Sequence, residues 1–238
     1  DLSKHILASG GKRIRPMVTL LSSRLCNYSG NNQLYLAACV EFIHTATLLH
    51  DDVIDESKMR RGVATANDIF GNKTSVLVGD FLFSRAFELM VQYGSKQILE
   101  VLSKASSTIA QGEVLQLTTI NNSSTSKELY MKIITNKTAS LFSAASKISA
   151  ILSEEKDIIQ KSLKIYGQKL GIAFQLVDDA LDYAGTSALD KSIGDDFREG
   201  KMTLPVIISL EKSNPEEKSF WKKTIEDLEQ SSGDLNKA

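Results

Sequence analysis

The chain has 238 residues, of which 42% are hydrophobic and 24% are charged, and its formal net charge is −1. This length allows one large domain or two small ones, the charge argues against a nucleic-acid-binding surface, and no apolar run approaches the roughly 18 residues that span a bilayer. Cys26 and Cys39 are too few for a disulfide framework, so we expect buried free thiols. Free thiols favour a reducing compartment: the cytoplasm, or an organelle matrix if a targeting segment has been removed.

Apolar residues recur every three or four positions along most of the chain, which predicts an all-α fold. No proline interrupts the chain between Pro16 and Pro205. The clearest helical patterns cover residues 36–48, 81–92, 139–152 and 162–183. Breaks rich in small polar residues fall at residues 10–11, 27–32, 62, 71, 119–126 and 185–196. No alternating pattern indicates a β-strand, and no break is long enough to separate independent domains.

Two acidic clusters follow apolar helical runs. In "LLHDDVIDE", Asp51 and Asp55 are one helical turn apart and project together, whereas Asp52 points about 100° away. "FQLVDDALDY" repeats the pattern with Asp178, Asp179 and Asp182. A lone cluster would fit a charged surface stripe, but both clusters adjoin apolar residues. Like charges at this spacing repel one another, and Mg²⁺ binds one or two carboxylates together with substrate phosphates, so the pair predicts Mg²⁺ around a diphosphate.

Basic residues suited to phosphate oxygens occur in four motifs. "GGKRIRP", "MRRG", "NKTASLF" and "GDDFREGKMTLP" supply, in chain order, Lys12, Arg13, Arg15, Arg60, Arg61, Lys137 with Thr138, and Lys201. Each of these residues alone would be an ordinary solvated side chain. His44 precedes the first acidic cluster by two turns on the same helix, where a lone histidine is more often a core residue.

Taken together, these motifs resemble the trans-isoprenyl diphosphate synthases, the head-to-tail prenyltransferase family. The matching stretches lie in family order between residues 10 and 208: GGKRIRP, EFIHTATLLHDDVIDE, MRRG, LVGDFLFSRAF, KTASLF, FQLVDDALDY and GDDFREGKMTLPVI. Both aspartate motifs are intact, which argues against a non-catalytic subunit of the family. Within this family, the sequence of these stretches is most similar to that of the long-chain, octaprenyl-type synthases that make quinone side chains.

The resemblance implies antiparallel helices around a deep central cavity, usually in a homodimer, with the aspartate motifs facing each other at its mouth. Mg²⁺, about three ions per active site with substrate bound, would be held mainly by Asp51, Asp55 and Asp178, with support from Asp52, Asp179 and Asp182. The allylic diphosphate would be bound by Arg60, Lys137, Thr138, Gln175, Lys191 and Lys201. Isopentenyl diphosphate would be bound by Lys12, Arg13, His44 and Arg61, so the resemblance gives the histidine a substrate contact.

The implied reaction begins when Mg²⁺ and cationic groups such as Lys137 and Lys201 stabilise charge on the leaving diphosphate, so that the allylic C–O bond ionises. The double bond of isopentenyl diphosphate attacks the carbocation, and a proton is then lost. No side chain is an evident general base, and the departing diphosphate is the expected acceptor. Water must be excluded, because it would trap the cation. Transient association with a membrane surface would help to release the product.

Product length is predicted from Ala46 and Thr47, which lie roughly 6 to 8 Å deeper along the helix than the first aspartate. Short-chain family members carry bulky aromatic residues there, so these small residues favour a long-chain product, although Ala46 could simply permit close helix packing. A short-chain farnesyl or geranylgeranyl synthase is the alternative. A third hypothesis, a non-catalytic helical partner subunit or cation-binding module, predicts the loss of an acidic cluster or of the basic pockets.

The family usually carries a helix before the "GGKR" motif and further helices after the "TLP" motif. We therefore expect residues 1–238 to form a single polyprenyl synthetase catalytic domain that lacks N-terminal and C-terminal helices of the full-length protein.

Overall fold

The computed structural model describes residues 10–60, 62–184 and 194–238. Its helices are α1 Ile14–Leu25, α2 Asn32–Ile54, α3 Ala66–Phe70, α4 Asn72–Tyr93, α5 Lys96–Leu117, α6 Lys127–Ile134, α7 Ser140–Leu152, α8 Asp157–Ala184, α9 Asp195–Arg198, α10 Leu204–Lys212, α11 Pro215–Trp221 and α12 Asp234–Lys237. Two π-helical turns, Thr135–Ala139 and Lys222–Glu226, follow α6 and α11. The prediction of an all-α fold is confirmed.

A short β-hairpin is the one local exception among the described residues. β1, Met59–Arg60, pairs antiparallel with β2, Val63–Ala64. The sequence predicts no strand here, and that prediction is wrong because two-residue strands are too short to show alternation. Gly62 in the connecting turn has a φ of +73°, a conformation that glycine adopts without strain.

The main hydrophobic core lies among α1, α2, α4, α5 and α7. Its most extensive helix pairing is between α2 and α4. α2 buries Val40, Ile43, Ala46 and Leu49 at intervals of three, and because each step of three turns by about 300°, the buried stripe winds around the helix towards its C-terminal end. Asp52 follows Leu49 by three residues and continues this stripe. A carboxylate therefore ends a buried apolar stripe.

A second hydrophobic cluster anchors the C-terminal segment. Its buried members are Tyr130, Ile134, Phe197, Met202, Val206, Ile207, Trp221 and Ile225. The rings of Phe197 and Trp221 meet edge to face, with 6.4 Å between their centroids. Because Phe197 and Met202 are both buried in this cluster, the loop between them is held in place. That loop carries Lys201.

The two cysteines are buried free thiols, as the sequence predicts. Burial raises the pKa of Cys39 to about 12, so this thiol stays protonated at neutral pH. In the part of the chain that the structure describes, no helix has the length and apolar character needed to span a membrane.

Candidate active site

The first acidic cluster occupies the C-terminal end of α2. The side chains of Asp51 and Asp55 are 12% and 20% exposed, whereas that of Asp52 is only 5% exposed. The difference follows the burial pattern of the helix, because Asp52 is the next residue of the buried stripe of α2 after Leu49. Arg60, on β1, donates to Asp52 Oδ1 from Nε at 2.8 Å and from Nη2 at 2.6 Å. The buried carboxylate thus has its counter-ion in place.

Two lysines from distant parts of the chain approach Asp51 and Asp55, the two more exposed residues of the first cluster, which we call the outward aspartates. Lys137 Nζ lies 3.7 Å from Asp51 Oδ2, and Lys201 Nζ lies 2.8 Å from Asp55 Oδ2 and 2.5 Å from Glu199 Oε2. Burial lowers the pKa of Lys201, but Asp55 and Glu199 outweigh it and hold that pKa above its ordinary value. Burial raises the pKa of Asp51, and the charge of Lys137 opposes this rise. Cations therefore converge on this end of α2.

The second acidic cluster lies near the end of α8. Asp179 is 4% exposed; its Oδ2 accepts a hydrogen bond from the Tyr130 hydroxyl at 2.5 Å, and its Oδ1 accepts from Gln175 Nε2 at 2.7 Å. Asp182 is 2% exposed, and its Oδ2 accepts from a backbone N–H at the start of α9 at 3.1 Å. Asp178 is half-buried. Asp179 and Asp182 are thus fixed within the fold.

Adjacent residues of the first π turn connect the two clusters. The hydroxyl of Thr138 donates to Gln175 Oε1 at 2.7 Å, and Gln175 in turn holds Asp179. Lys137, the preceding residue, extends towards Asp51. The two acidic clusters therefore border one site, with the π turn between them.

A cleft opens beside the outward aspartates. Its lining includes Asp51, Asp55, Ile54, Glu113, Gln116, Leu117, Ile120 and Lys201. Within the described ranges, no three carboxylate, imidazole or thiol groups converge as a ready-made metal cage. Mg²⁺ needs no such cage, since it takes one or two carboxylates together with phosphate oxygens and water. The hard oxygen donors of the cleft fit this ion, and the buried Glu113 Oε1 accepts no hydrogen bond from any described residue.

Sequence reasoning missed two side chains that contact Lys137. Glu113 Oε2 lies 2.7 Å from Lys137 Nζ, and Gln116 Oε1 accepts a hydrogen bond from the same atom at 2.7 Å. Burial and the charge of Asp51 raise the pKa of Glu113 to about 7, against the opposing effect of Lys137. Both residues lie on α5, where the sequence "AQGEVLQL" has the pattern of an ordinary amphipathic helix. No spacing in the sequence signals their role.

His44 lies beside an arginine that was not among the residues expected to bind isopentenyl diphosphate. Arg15 Nη1 is 3.1 Å from His44 Nε2, and the Arg15 guanidinium lies 4.6 Å from the centroid of the Phe142 ring. Arg13, which the resemblance assigns to this pocket, forms an ion pair with Glu41. The structure thus offers Arg15 as a further basic group next to His44.

The other predicted site residues differ in their surroundings. Lys12 is exposed just before α1. Ala46 is fully buried, whereas Thr47 is half-buried and its hydroxyl donates to a backbone carbonyl one turn earlier at 2.8 Å. Arg61 and Lys191 lie outside the described residues.

Comparison with known proteins gives consistent matches along the chain. The polyprenyl synthetase family matches residues 1–238. Octaprenyl diphosphate synthase of Escherichia coli (strain K12) is 51% identical over 227 residues, which are 95% of this chain and 70% of that protein. A decaprenyl diphosphate synthase structure from Rhodobacter capsulatus has a TM-score of 0.94 and 51% identity, covering 99% of this chain and 73% of that one. A polyprenyl synthase from Caulobacter crescentus CB15, complexed with calcium and isoprenyl diphosphate, has a TM-score of 0.96 and 50% identity, with coverages of 99% and 72%.

These matches agree with the helical fold and with the paired acidic clusters, which together define a prenyl-transferring enzyme. The chain belongs to the polyprenyl synthetase family. The resemblance found in the sequence motifs is confirmed.

Proposed function

We propose that this protein condenses isopentenyl diphosphate, head to tail, with an allylic diphosphate and makes a long-chain, all-trans polyprenyl diphosphate. The convergence of Lys137 and Lys201 on the outward aspartates beside a cleft carries the proposal. A diphosphate that binds through Mg²⁺ needs this combination of carboxylates and cations. The similar octaprenyl and decaprenyl synthases support a long, octaprenyl-like product of the kind used for quinone side chains.

Asp51, Asp55 and Asp178 would hold the Mg²⁺ ions, about three per active site with substrate bound. When bound, Mg²⁺ neutralises the charge that develops on the leaving diphosphate. The calcium in the C. crescentus structure supports a divalent-cation site in this family. Asp52, Asp179 and Asp182 are the supporting residues, because each is buried and hydrogen-bonded within the fold.

Lys137 and Lys201 bind the allylic diphosphate in this proposal, together with Arg60, Thr138, Gln175 and Lys191. Lys137 lies near Asp51 and Lys201 contacts Asp55. Phosphate oxygens take over these two contacts when substrate binds. Their fixed charges favour the departing diphosphate, so the allylic C–O bond ionises without reorganisation of the site. The apolar side chains of Ile54 and Leu117 border the cleft. The carbocation must be kept from water, which would trap it.

Isopentenyl diphosphate binds on the His44 side of the site in this proposal. Lys12, Arg13 and Arg61 are its expected partners, and we add Arg15 because it contacts His44. The attacking double bond then faces the carbocation, and the departing diphosphate accepts the proton.

We further propose that the chain is one catalytic domain that works as a homodimer. α4 exposes the large apolar side chains of Leu77, Phe81 and Val91 by 68%, 63% and 70%. At 100° per residue, these three positions lie within one face of the helix. A second copy of the chain would cover that face.

An elongation assay tests the proposed function. The protein is incubated with labelled isopentenyl diphosphate, a farnesyl diphosphate primer and Mg²⁺, and the products are sized by chromatography. Octaprenyl-length products support the proposal, and Asp51→Asn should abolish them. Products that stop at farnesyl or geranylgeranyl length would favour the short-chain alternative. Mg²⁺ binding without elongation would favour the non-catalytic alternative.

A further inference from the structure

The Lys137 ammonium is fixed by two side chains of α5. An ammonium group has three N–H donors, and two of its contacts are Glu113 Oε2 and Gln116 Oε1, each at 2.7 Å. Asp51 Oδ2 is farther away, at 3.7 Å, which exceeds the ~2.8 Å of a charge-assisted hydrogen bond. Among the described residues, the nearest partners of Lys137 are therefore groups on α5 rather than the first acidic cluster.

The backbone of α5 is also unusually close to the turn that carries this lysine. A Cβ atom on Gly112 would lie 2.6 Å from the backbone nitrogen of Lys137. Only glycine permits that approach, and residues 113 and 116, three apart on a helix, share one face. The close approach brings Glu113 and Gln116 within reach of an ammonium whose side chain is only 24% exposed.

We propose that Glu113 and Gln116 are positioning residues that hold the Lys137 ammonium at the place where the allylic diphosphate binds. This inference rests on the proposed function, because it assigns Lys137 to the allylic diphosphate. A free lysine side chain loses rotamer freedom when it binds a phosphate. Glu113 and Gln116 restrict that freedom before substrate arrives, and one N–H stays available on the side that faces Asp51.

The raised pKa of Glu113 fits this arrangement. Burial and Asp51 disfavour its charged form, and Lys137 favours it. A carboxylate in this position is therefore retained at a cost, which the contact with Lys137 offsets only in part. The contact also leaves Asp51 without a short hydrogen bond to the ammonium, so its oxygen can serve a metal ion.

Binding of an unreactive analogue tests the proposal without relying on turnover. Farnesyl thiodiphosphate, whose C–S bond resists ionisation, is titrated with Mg²⁺ into the full chain by calorimetry. We expect Glu113→Ala to weaken binding about tenfold, because it removes a hydrogen bond to a charged group. Glu113→Gln keeps an acceptor at the same place and should recover part of that loss. Glu100→Ala, an exposed glutamate on the same helix, is the matched control and should bind like the wild type.

A double-mutant cycle separates positioning from a merely structural role. If Glu113 acts through Lys137, Glu113→Ala should add nothing in a Lys137→Ala background. Equal losses in both backgrounds, or tighter binding by Glu113→Ala, would overturn the proposal.

Steady-state kinetics adds an independent readout. We expect a raised KM for the allylic diphosphate with an unchanged KM for isopentenyl diphosphate, and equal rises in both would argue against positioning. If the wild type bound the analogue but elongated no substrate, the proposed function would be wrong. The double-mutant cycle on analogue binding would still decide whether Glu113 acts through Lys137.

Discussion

Asp52 has a different environment from the other aspartates of its cluster. It ends the buried stripe of α2, and its main partner is Arg60, whose side chain is 35% exposed. The guanidinium contacts one carboxylate oxygen through two nitrogens, which fixes both side chains. Arg60 therefore stabilises the fold around the cluster, in addition to its proposed contact with substrate.

Arg60→Met should destabilise the ligand-free protein by about 1–3 kcal/mol, because it leaves a buried carboxylate without its partner. Urea unfolding followed by circular dichroism measures the loss. Arg85→Met removes a surface pair with Glu88, whose side chains are 51% and 62% exposed, and should cost less than about 1 kcal/mol. Asp52→Leu/Arg60→Met should recover most of the stability, and a double variant as unstable as the single one would contradict this account.

Ala46 and Thr47 differ in burial, which affects how product length can be tested. Ala46 has no exposed surface, so a bulky residue there must displace neighbouring side chains. Overpacking of this kind costs typically about 1–3 kcal/mol. The amount of folded enzyme can therefore fall, and product length is a better readout than rate.

Ala46→Tyr should shorten the product, because an aromatic ring would block the path of the growing chain. Reversed-phase chromatography of the dephosphorylated products measures the length, and a melting curve checks that the variant is folded. Ile158→Tyr, at a position 65% exposed on α8, is the control and should keep the wild-type product. An unchanged product spectrum for folded Ala46→Tyr would remove Ala46 from the chain-length site.

At the scale of elements, the sequence predicts the long helices but not the π turn Thr135–Ala139. The pattern over residues 139–152 correctly predicts α7, and the patterns over 36–48, 81–92 and 162–183 lie within α2, α4 and α8. A π turn differs from an α-helix by a single extra residue per turn, so apolar periodicity cannot distinguish the two. Neighbouring helices approach the π turn closely on two sides, and these tertiary contacts have no signal in the local sequence.

Those approaches occur at two glycines. A Cβ on Gly112 would meet the backbone of Lys137 at 2.6 Å, and a Cβ on Gly171 would meet Ala139 Cα at 2.6 Å. The sequence does not predict the role of Glu113 for the same reason, because tertiary contacts leave no local pattern. The acidic clusters could be found because their spacing is local, whereas the contact between Glu113 and Lys137 depends on how α5 packs.

Gly112→Ala tests whether this packing matters. Alanine stabilises a helix relative to glycine by about 1 kcal/mol. A clash of the new Cβ with the backbone of Lys137 typically costs about 1–3 kcal/mol. We therefore expect the free energy of unfolding of Gly112→Ala to fall by about 1 kcal/mol. Thermal unfolding measures it. Gly233→Ala is the control, because a Cβ there would meet nothing within 4 Å. If Gly112→Ala proved as stable as the wild type or more so, the close approach would not constrain the π turn.

At the scale of the whole molecule, the apolar face of α4 is a surface that the fold of one chain does not explain. Leu77, Phe81 and Val91 are each more than 60% exposed, while the opposite side of α4 packs against α2. Large apolar side chains exposed on one helix face are candidates for an interaction site, although Ser84 and Glu88 lie between Phe81 and Val91 on this face. Because α4 pairs with the helix that carries the first acidic cluster, a partner on this face would also support the active site.

Phe81→Asp should therefore convert a dimer into monomers. A carboxylate buried without a partner at the interface would weaken association by about 2 kcal/mol or more, and sedimentation velocity over a range of protein concentrations measures the shift. Leu25→Asp is the control, since Leu25 is 72% exposed on α1, and it should leave the dimer intact. A dimer that survives Phe81→Asp but dissociates with Leu25→Asp would locate the interface on α1, and a wild type that sediments as a monomer would remove the homodimer from the proposal.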